Sequence, residues 1–158
     1  MQIVTIPITP TLLRKYVKEK SNARISKTSI FHIRESITRF ITKINKQLLV
    51  DNGKITKLSV NHIRTALNKI LPQKQDVDVS VDLYFPRKPI HLYLKNVLHE
   101  TCSADMTIHQ DALFYYHSVI ETFLSEFVKC VASQMNHAKR KTIQDIDVEY
   151  CNSLFNTS

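Results

Sequence analysis

The sequence predicts an all-α protein in which a unit of three helices, short, long and short, occurs twice. The composition holds a single Gly and five Pro among 158 residues. That is too few for the tight turns of a β-sandwich or the phosphate loop of an α/β nucleotide-binding protein. Apolar residues recur at spacings of three and four over long stretches, which is typical of amphipathic helices. The same order of helices and loops occurs in both halves of the chain, which indicates a tandem architecture.

The first copy is predicted over residues 1–72. Thr9 is suited to cap a short helix that has Pro10 at its first position. A long amphipathic helix is predicted from Ser29 to about Val50. Ser59 is then suited to begin the last short helix of this copy.

The second copy is predicted over residues 87–158, with a long helix from about His109 to Asn136 and a final helix that carries Ile146 to Leu154. Residues 73–86 separate the two copies. Their segment DVDVSVDLY alternates apolar and charged residues, which by itself is compatible with a strand. Because no second strand is evident to pair with it, we interpret the segment as an extended linker.

The charge of the chain is strongly asymmetric. The formal net charge is +8 and the sequence pI is about 9.5. Residues 1–72 hold 14 Lys and Arg against 3 Asp and Glu, whereas residues 73–158 hold 8 against 11. A basic chain attracts polyanions, nucleic acid first and an anionic membrane second. The split indicates that the two halves have different tasks.

Several classes of function are not expected. The three cysteines are odd in number and lack a C-x-x-C pair, so we expect reduced thiols, with Cys130 as a small core residue. No apolar run is long enough to span a membrane. The seven His show no metal-ligand spacing, and no nucleophile elbow, phosphate loop or zinc signature is present. We therefore expect no enzyme, metal, cofactor or small-molecule substrate.

Four segments resemble the histone-fold family. HAKRKTIQDIDVEY (137–150) resembles the second loop and third helix of histone H-four and of archaeal histones, and VIETFLSEFVKCVASQMN (119–136) resembles the end of their long helix. IPITPTLLRKYVKEKSNARIS (6–26) is similar to the start of archaeal histones, and ITKLSVNHIRTALNKILP (55–72) to the final helix of histone H-two-B.

The subtype of the second copy stays open between H-four and H-two-A, because LYFPRKPIHLYLKN (83–96) is also similar to the opening of histone H-two-A. Taken together, the chain resembles a fused histone doublet of the kind encoded by some large DNA viruses and some archaea, and the viral kind is the nearer in character.

The resemblance implies an intrachain handshake pseudodimer, in which the first loop of each histone fold lies beside the second loop of the other. Those loops and the N-termini of the first helices would face phosphates. The implied function is packaging of double-stranded DNA in a nucleosome-like particle, largely without sequence specificity. The implied partners are DNA and another histone doublet or pair, and the implied location is with DNA. That location is a virion, viral factory or host nucleus for a viral protein and a nucleoid for an archaeal one.

The resemblance also assigns roles to particular residues. Arg24 stands where histones insert an arginine into the minor groove, and Asp105 is taken as its counterpart in the second copy. Arg140 and Asp147 match a histone salt bridge that holds the second loop against the third helix. Their first-copy counterparts are taken as Lys54 and Asn61, so we expect that ion pair to be absent from the first copy.

The predicted DNA contacts are basic and hydroxyl side chains of the loops and short helices: Arg14, Lys15, Lys18, Arg24, Ser26, Lys27, Lys54, Thr56, Lys57, Arg87, Lys88, Arg140, Lys141 and Thr142. Glu121 and Glu126 fall where histone H-two-A carries part of its acidic docking patch, and we predict that they dock a partner. A further acidic position holds Lys129, so a complete patch is not expected.

Two other functions are compatible with these patterns. The first is a histone-fold regulatory subunit like the CCAAT-binding factors, which carry a similar K-R-K-T-I link. Such subunits need a third protein for base specificity, and nothing in this chain supplies one. The second is a basic helical protein that does not bind DNA, which would not retard DNA at low salt.

Overall fold

The computed structural model describes residues 6–71, 77 and 82–155. Most of the segment interpreted as a linker therefore lies outside the described residues, and so does the choice between a strand and an extended connection. The proposed boundaries at residues 72 and 87 stay predictions, although the described helices on either side end at Ile70 and begin at Arg87.

The described residues form six helices and four strands of two residues each. In chain order these elements are α1 (Pro10–Ser21), β1 (Arg24–Ile25), α2 (Lys27–Asn52), β2 (Lys57–Leu58), α3 (Val60–Ile70), α4 (Arg87–Thr101), β3 (Thr107–Ile108), α5 (Gln110–His137), β4 (Thr142–Ile143) and α6 (Asp145–Phe155). The order short, long, short is thus confirmed for both copies.

Local capping explains where α1 begins and ends. Thr9 has extended backbone, and its hydroxyl oxygen accepts a hydrogen bond from the Leu12 N–H at 3.2 Å. Pro10 occupies the first helical position, where its missing N–H costs nothing. Asn22 ends the helix in the left-handed conformation, with φ of 55°, and its N–H donates to the Lys18 carbonyl at 2.8 Å.

The four short strands form two parallel pairs. β1 pairs with β4, with Arg24 opposite Thr142, and β2 pairs with β3, with Lys57 opposite Thr107. Each pair joins the first loop of one copy to the second loop of the other. The head-to-tail pairing of loops that the resemblance implies is therefore confirmed.

The described residues form two compact units, and each unit draws on both halves of the chain. The β1–β4 unit consists of residues 8–39 and 123–155, and the β2–β3 unit consists of described residues within 1–7 and 40–122. Because every unit needs helices from both copies, the two three-helix motifs clasp each other within one polypeptide. The fold is an all-α pair of interlocked tandem motifs, as predicted.

The core of the β1–β4 unit is mostly apolar, with a few buried polar side chains that include Ser36 and Asn152. Its buried side chains include Leu13, Val17, Ile33, Ile37, Phe127, Val131 and Val148. Burying each such side chain stabilises the unit by about 1.5–3 kcal/mol. The Ser36 hydroxyl donates to Asn152 Oδ1 at 2.6 Å, which ties α2 to α6 in the interior.

The core of the β2–β3 unit is organised in the same way. Its buried side chains include Ile44, Leu48, Ile63, Leu94, Leu98 and Val119. The fully buried Tyr116 hydroxyl on α5 donates to Asn45 Oδ1 of α2 at 2.6 Å. Burial holds the pKa of Tyr116 well above its usual value, so the phenol stays a neutral donor.

The expectation of reduced thiols was wrong for two of the three cysteines. Cys130 of α5 and Cys151 of α6 are joined by a disulfide, with their Cα atoms 6.1 Å apart, while Cys102 is a free thiol. Cys151 is fully buried, whereas Cys130 is only half-buried. The sequence shows no pairing motif because the two residues meet only when α6 packs against α5.

Candidate nucleic-acid interface

The β1–β4 pair places basic side chains of both copies next to each other. The Arg24 N–H donates to the Lys141 carbonyl at 3.2 Å, and the Ser26 N–H donates to the Ile143 carbonyl at 3.2 Å. Side chains alternate along a strand, so Arg24 is exposed while Ile25 is buried. Lys141 is also exposed. Two predicted DNA-binding cations, Arg24 and Lys141, thus extend from backbone segments that are hydrogen-bonded to each other.

A cleft of about 600 Å³ lies along this pair and is lined by Arg14, Lys18, Asn22, Ala23, Arg24, Ile25 and Thr142. The Arg14 guanidinium donates to the Ile25 carbonyl at 3.3 Å, which fixes that cation beside the strand. None of the described residues that line the cleft is acidic. Three cations and a hydroxyl in one concave site are suited to bind phosphate oxygens.

Ser26 and Lys27 lie where α2 begins. The Ser26 hydroxyl donates to Ser29 Oγ at 2.6 Å and accepts from the Ser29 N–H at 3.1 Å. Ser29 in turn donates to Asp145 Oδ1 at 2.7 Å, and that bond, with one from Thr28, lowers the pKa of Asp145 against its partial desolvation. Ser26 therefore also serves as a helix cap, whereas Lys27 is exposed.

The predicted salt bridge of the second loop is confirmed. Arg140 Nη2 lies 2.7 Å from Asp147 Oδ1, and Arg140 Nη1 donates to Asp147 Oδ2 at 2.8 Å. The same Asp147 oxygen accepts from the Gln144 N–H at 2.8 Å. Burial raises the pKa of Asp147, but the hydrogen bonds from Arg140 and Gln144 outweigh it and the pKa is lowered. The hydrogen bond with Asp147 raises the pKa of Arg140.

Arg140 also donates to the Thr142 carbonyl at 3.1 Å. Its guanidinium is therefore bonded to the loop and to α6, and its main effect is to hold the loop in shape. Lys141 and Thr142 then extend from a loop whose backbone is positioned on both sides.

The β2–β3 pair forms a second, less elaborate site. The Thr107 N–H donates to the Thr56 carbonyl at 2.8 Å, and Lys57 lies opposite Thr107. Lys54, Thr56 and Lys57 are all exposed. This site contains two lysines but lacks an arginine at the position of Arg24.

The strand register corrects two equivalences between the copies. One residue separates β4 from α6 and one separates β2 from α3, so the counterparts of Arg140 and Asp147 are Ile55 and His62. The predicted counterparts, Lys54 and Asn61, were therefore wrong by one residue. Ile55 is buried, and His62 Nδ1 accepts from the Ser59 N–H at 3.0 Å, as Asp147 does from Gln144. The cap is thus kept in the first copy, while the ion pair is absent from it, as predicted.

The second correction concerns the first loops. Because Arg24 opens β1 and Thr107 opens β3, the counterpart of Arg24 is Thr107 and not Asp105. Met106 is buried as Ala23 is, which supports this alignment. A threonine cannot reach into a groove as an arginine can, so the prediction of a missing minor-groove contact at this loop is unchanged.

The remaining predicted contacts lie on the two first helices. Arg87 and Lys88 open α4 and are exposed. The Arg87 guanidinium stands 5.1 Å from the centre of the Phe114 ring, which favours a fixed orientation. Lys15 is exposed on α1 and is not among the residues that line the cleft.

Glu121 makes internal hydrogen bonds through both carboxylate oxygens. Its Oε1 accepts from the Tyr84 N–H at 2.8 Å, and its Oε2 accepts from the Phe85 N–H at 2.9 Å and lies 2.9 Å from His117 Nε2. The side chain is only 15% exposed. Glu126 is 45% exposed and lies 3.3 Å from Lys129 Nζ. Of the two predicted docking residues, Glu126 is the more accessible.

An exposed apolar stripe on α6 was not anticipated. Ile146, Tyr150 and Leu154 are 65%, 48% and 52% exposed, while Val148 and Cys151 of the same helix are buried. The signal in the sequence was that α6 has apolar residues on two faces, one of which cannot face its own core. The corresponding positions of α3 carry Asn61, Thr65 and Lys69 and are polar.

Within the described part of the chain, no group of three metal-ligating side chains comes together. None of the helices described there combines the length and the apolar character needed to cross a bilayer.

Two interlocked three-helix motifs with loop-to-loop strand pairs define a pair of histone folds. The family described as the core histone domain, which comprises histones H-two-A, H-two-B, H-three and H-four, matches residues 68–152. Because this match covers more than half of the 158 residues, the chain belongs to the core histone family.

The solved structure of the histone from Methanopyrus kandleri has the same fold. It superposes with a TM-score of 0.62 and 22% sequence identity, over 87% of this chain and 88% of that chain. The likeness thus extends to both halves, including the first copy, most of which lies outside the family match. No curated protein sequence matches the chain.

Proposed function

We propose that this protein packages double-stranded DNA by wrapping it in a nucleosome-like particle, largely without sequence specificity. The β1–β4 site supports this proposal most strongly, because it gathers Arg14, Lys18, Arg24 and Thr142 around one cleft. Those groups match phosphate oxygens, which every DNA sequence presents at similar spacing. Binding would be driven by release of counterions and by the shape of the duplex.

The second part of the proposed interface is the β2–β3 site with Lys54, Thr56 and Lys57. Arg87 and Lys88 would add cations at the start of α4, and the N-termini of α1 and α4 would add favourable helix dipoles. Arg24 is the proposed minor-groove residue, because it is exposed at the opening of β1 and belongs to the same cleft. With a net charge of +11, the region over residues 1–72 would supply most of the attraction.

Association of two copies of this chain completes the proposed particle. The exposed stripe of Ile146, Tyr150 and Leu154 supports this step. Covering apolar side chains with a partner removes them from water, which lowers the free energy of the associated state. Glu126 lies on the preceding helix and is the docking residue that stays accessible. The proposed organisation is a first histone fold in residues 1–72, a linker in 73–86 and a second histone fold in 87–158.

This function places the protein with DNA. For a viral source that is a virion, viral factory or host nucleus, and for an archaeal source it is a nucleoid.

Nuclease digestion of DNA reconstituted with the protein tests the proposal. We expect a discrete protected length with unrelated DNA sequences, and equal competition between those sequences. Charge reversal of Arg24, Lys54 and Lys57 together should weaken binding to all sequences alike. Lys95→Glu is the single-site control, because Lys95 is an exposed cation on α4 and is not among the residues of either proposed site.

Three results would contradict the proposal. A strong preference for one site would favour a regulatory histone-fold subunit. An absence of retardation at low salt would favour a structural protein without DNA. Unchanged affinity after the triple charge reversal would reject the assignment of the two loop sites.

A further inference from the structure

The disulfide between Cys130 and Cys151 encloses the second loop of the β1–β4 site. The intervening residues include Arg140, Lys141 and Thr142. We propose that reversible oxidation of Cys130 and Cys151 to a disulfide raises the affinity with which this loop binds DNA, and that reduction lowers it. This inference rests on the proposed function, to which it adds a means of regulation.

A continuous path of contacts leads from the disulfide to the loop. Cys151 lies in the middle of α6, and the same helix carries Asp147, which is 3% exposed and binds Arg140 through two short hydrogen bonds. Arg140 then donates to the carbonyl of Thr142, which lines the cleft. Anything that loosens α6 on α5 therefore loosens the anchor of this loop.

The remaining attachments of α6 are non-covalent. The Phe155 ring lies 5.7 Å from Phe123 and 5.5 Å from Phe127, measured between ring centres. Near the start of the helix, Asp145 accepts hydrogen bonds from Thr28 and Ser29. Such contacts hold the helix in its place but permit local opening, which a covalent tie within the same unit restricts.

A low-molecular-weight disulfide is the oxidant that converts the two thiols of Cys130 and Cys151 into the disulfide. Cys130 is half-buried and Cys151 is fully buried, so the Cys130 thiolate attacks first and forms a mixed disulfide, releasing one small thiol. Cys151 Sγ then attacks Cys130 Sγ and releases the second small thiol. The two protein thiols lose two protons and two electrons, which the oxidant takes up as it becomes two thiols.

The test compares the purified full-length chain in buffers of oxidised and reduced glutathione. Alkylation and mass spectrometry count the free thiols, thermal unfolding reports stability, and fluorescence anisotropy with a labelled duplex reports DNA affinity. We expect one free thiol in the oxidised form and three in the reduced form. Reduction should lower the Tm by about 5–10 °C and should weaken DNA binding about five-fold, because the loop opens more often.

Two variants isolate the pair from the other cysteine. Cys130→Ala with Cys151→Ala should behave as the reduced protein in both buffers. Cys102→Ala should keep the full response, because Cys102 is the free thiol and belongs to the β2–β3 unit. If the double variant does not fold, the reduced wild-type chain supplies the same comparison.

Three free thiols in the oxidising buffer would overturn the proposal, and so would equal DNA affinity of the two forms. In the second case the proposed DNA-binding function stands and only the switch fails. If neither form binds DNA while the thiol count and Tm still respond, the switch in DNA binding and the proposed function fail together.

Discussion

Arg140 and Asp147 form a two-bond ion pair at 2.7 and 2.8 Å that joins the second loop of the β1–β4 site to helix α6. The pair spans seven residues of sequence, so it forms as soon as the loop and the helix take their local shapes. Asp147 additionally caps α6 through the Gln144 N–H. One carboxylate thus fixes both the start of a helix and the shape of a loop that is proposed to bind phosphate.

Replacing Asp147 with Asn should destabilise the protein by about 2 kcal/mol, because charge-assisted hydrogen bonds from Arg140 would be lost in a site with little water. Urea unfolding measures the change. Lys129→Ala is the control, since the exposed pair of Lys129 and Glu126 should contribute about 0.5 kcal/mol or less. Equal effects of the two variants would contradict the role given to Asp147.

The salt dependence of DNA binding should report individual phosphate contacts. Replacing Arg24 or Lys141 with Ala should each reduce the slope of log K against log salt by about 1, because each is proposed to displace one counterion. Lys129→Ala should leave the slope unchanged. A slope that is the same in all four proteins would show that neither loop cation contacts phosphate.

Stability should fall as the pH is lowered from about 6.5 to about 4. Burial, helped by the charges of His117 and Arg87, lowers the pKa of His91 to about 4. Within this window the unfolded chain binds a proton at His91 that the folded chain does not bind. The contribution of His91 is therefore complete above pH 6.5 and is lost as the pH falls towards 4.

His91→Phe should flatten this part of the pH profile, because Phe does not titrate and can keep the edge-on contact with Phe114. Urea midpoints at pH 7, 5.5 and 4.5 measure the effect. The hypothesis is wrong if the wild-type chain and the variant lose stability in parallel over this range.

Self-association should depend on the apolar stripe of α6. Ile146→Asp should weaken association of two copies about ten-fold or more, because one buried apolar side chain contributes about 1.5–3 kcal/mol. Sedimentation velocity over a range of concentrations measures this. Leu92→Asp is the matched control, since Leu92 is 62% exposed on α4, outside the stripe. Loss of association in both variants would indicate a general effect of added charge.

Features that depend on local sequence were predictable. The start of α1 at Pro10 follows from a capping residue and a proline, and the Arg140–Asp147 pair follows from a short motif. The register of the second loops was less predictable, since both copies have a basic second loop. Only the strand pairing shows that the buried Ile55 occupies, in the first copy, the position that Arg140 occupies in the second.

Features that depend on distant residues could not be predicted. Glu121 was expected to face a partner, but its carboxylate accepts N–H groups of residues more than 35 positions earlier in the chain. Cys130 and Cys151 meet across two helices, and no spacing rule brings them together.

The order of helices, the split of charge and the basic character of the loops were determined by the sequence alone, because periodicity, caps and net charge act over a few residues. The pairing of each loop with a loop of the other copy, the disulfide and the exposed face of α6 were decided by the tertiary structure. These depend on which surfaces meet when the two motifs clasp, and that is a property of the whole packed chain.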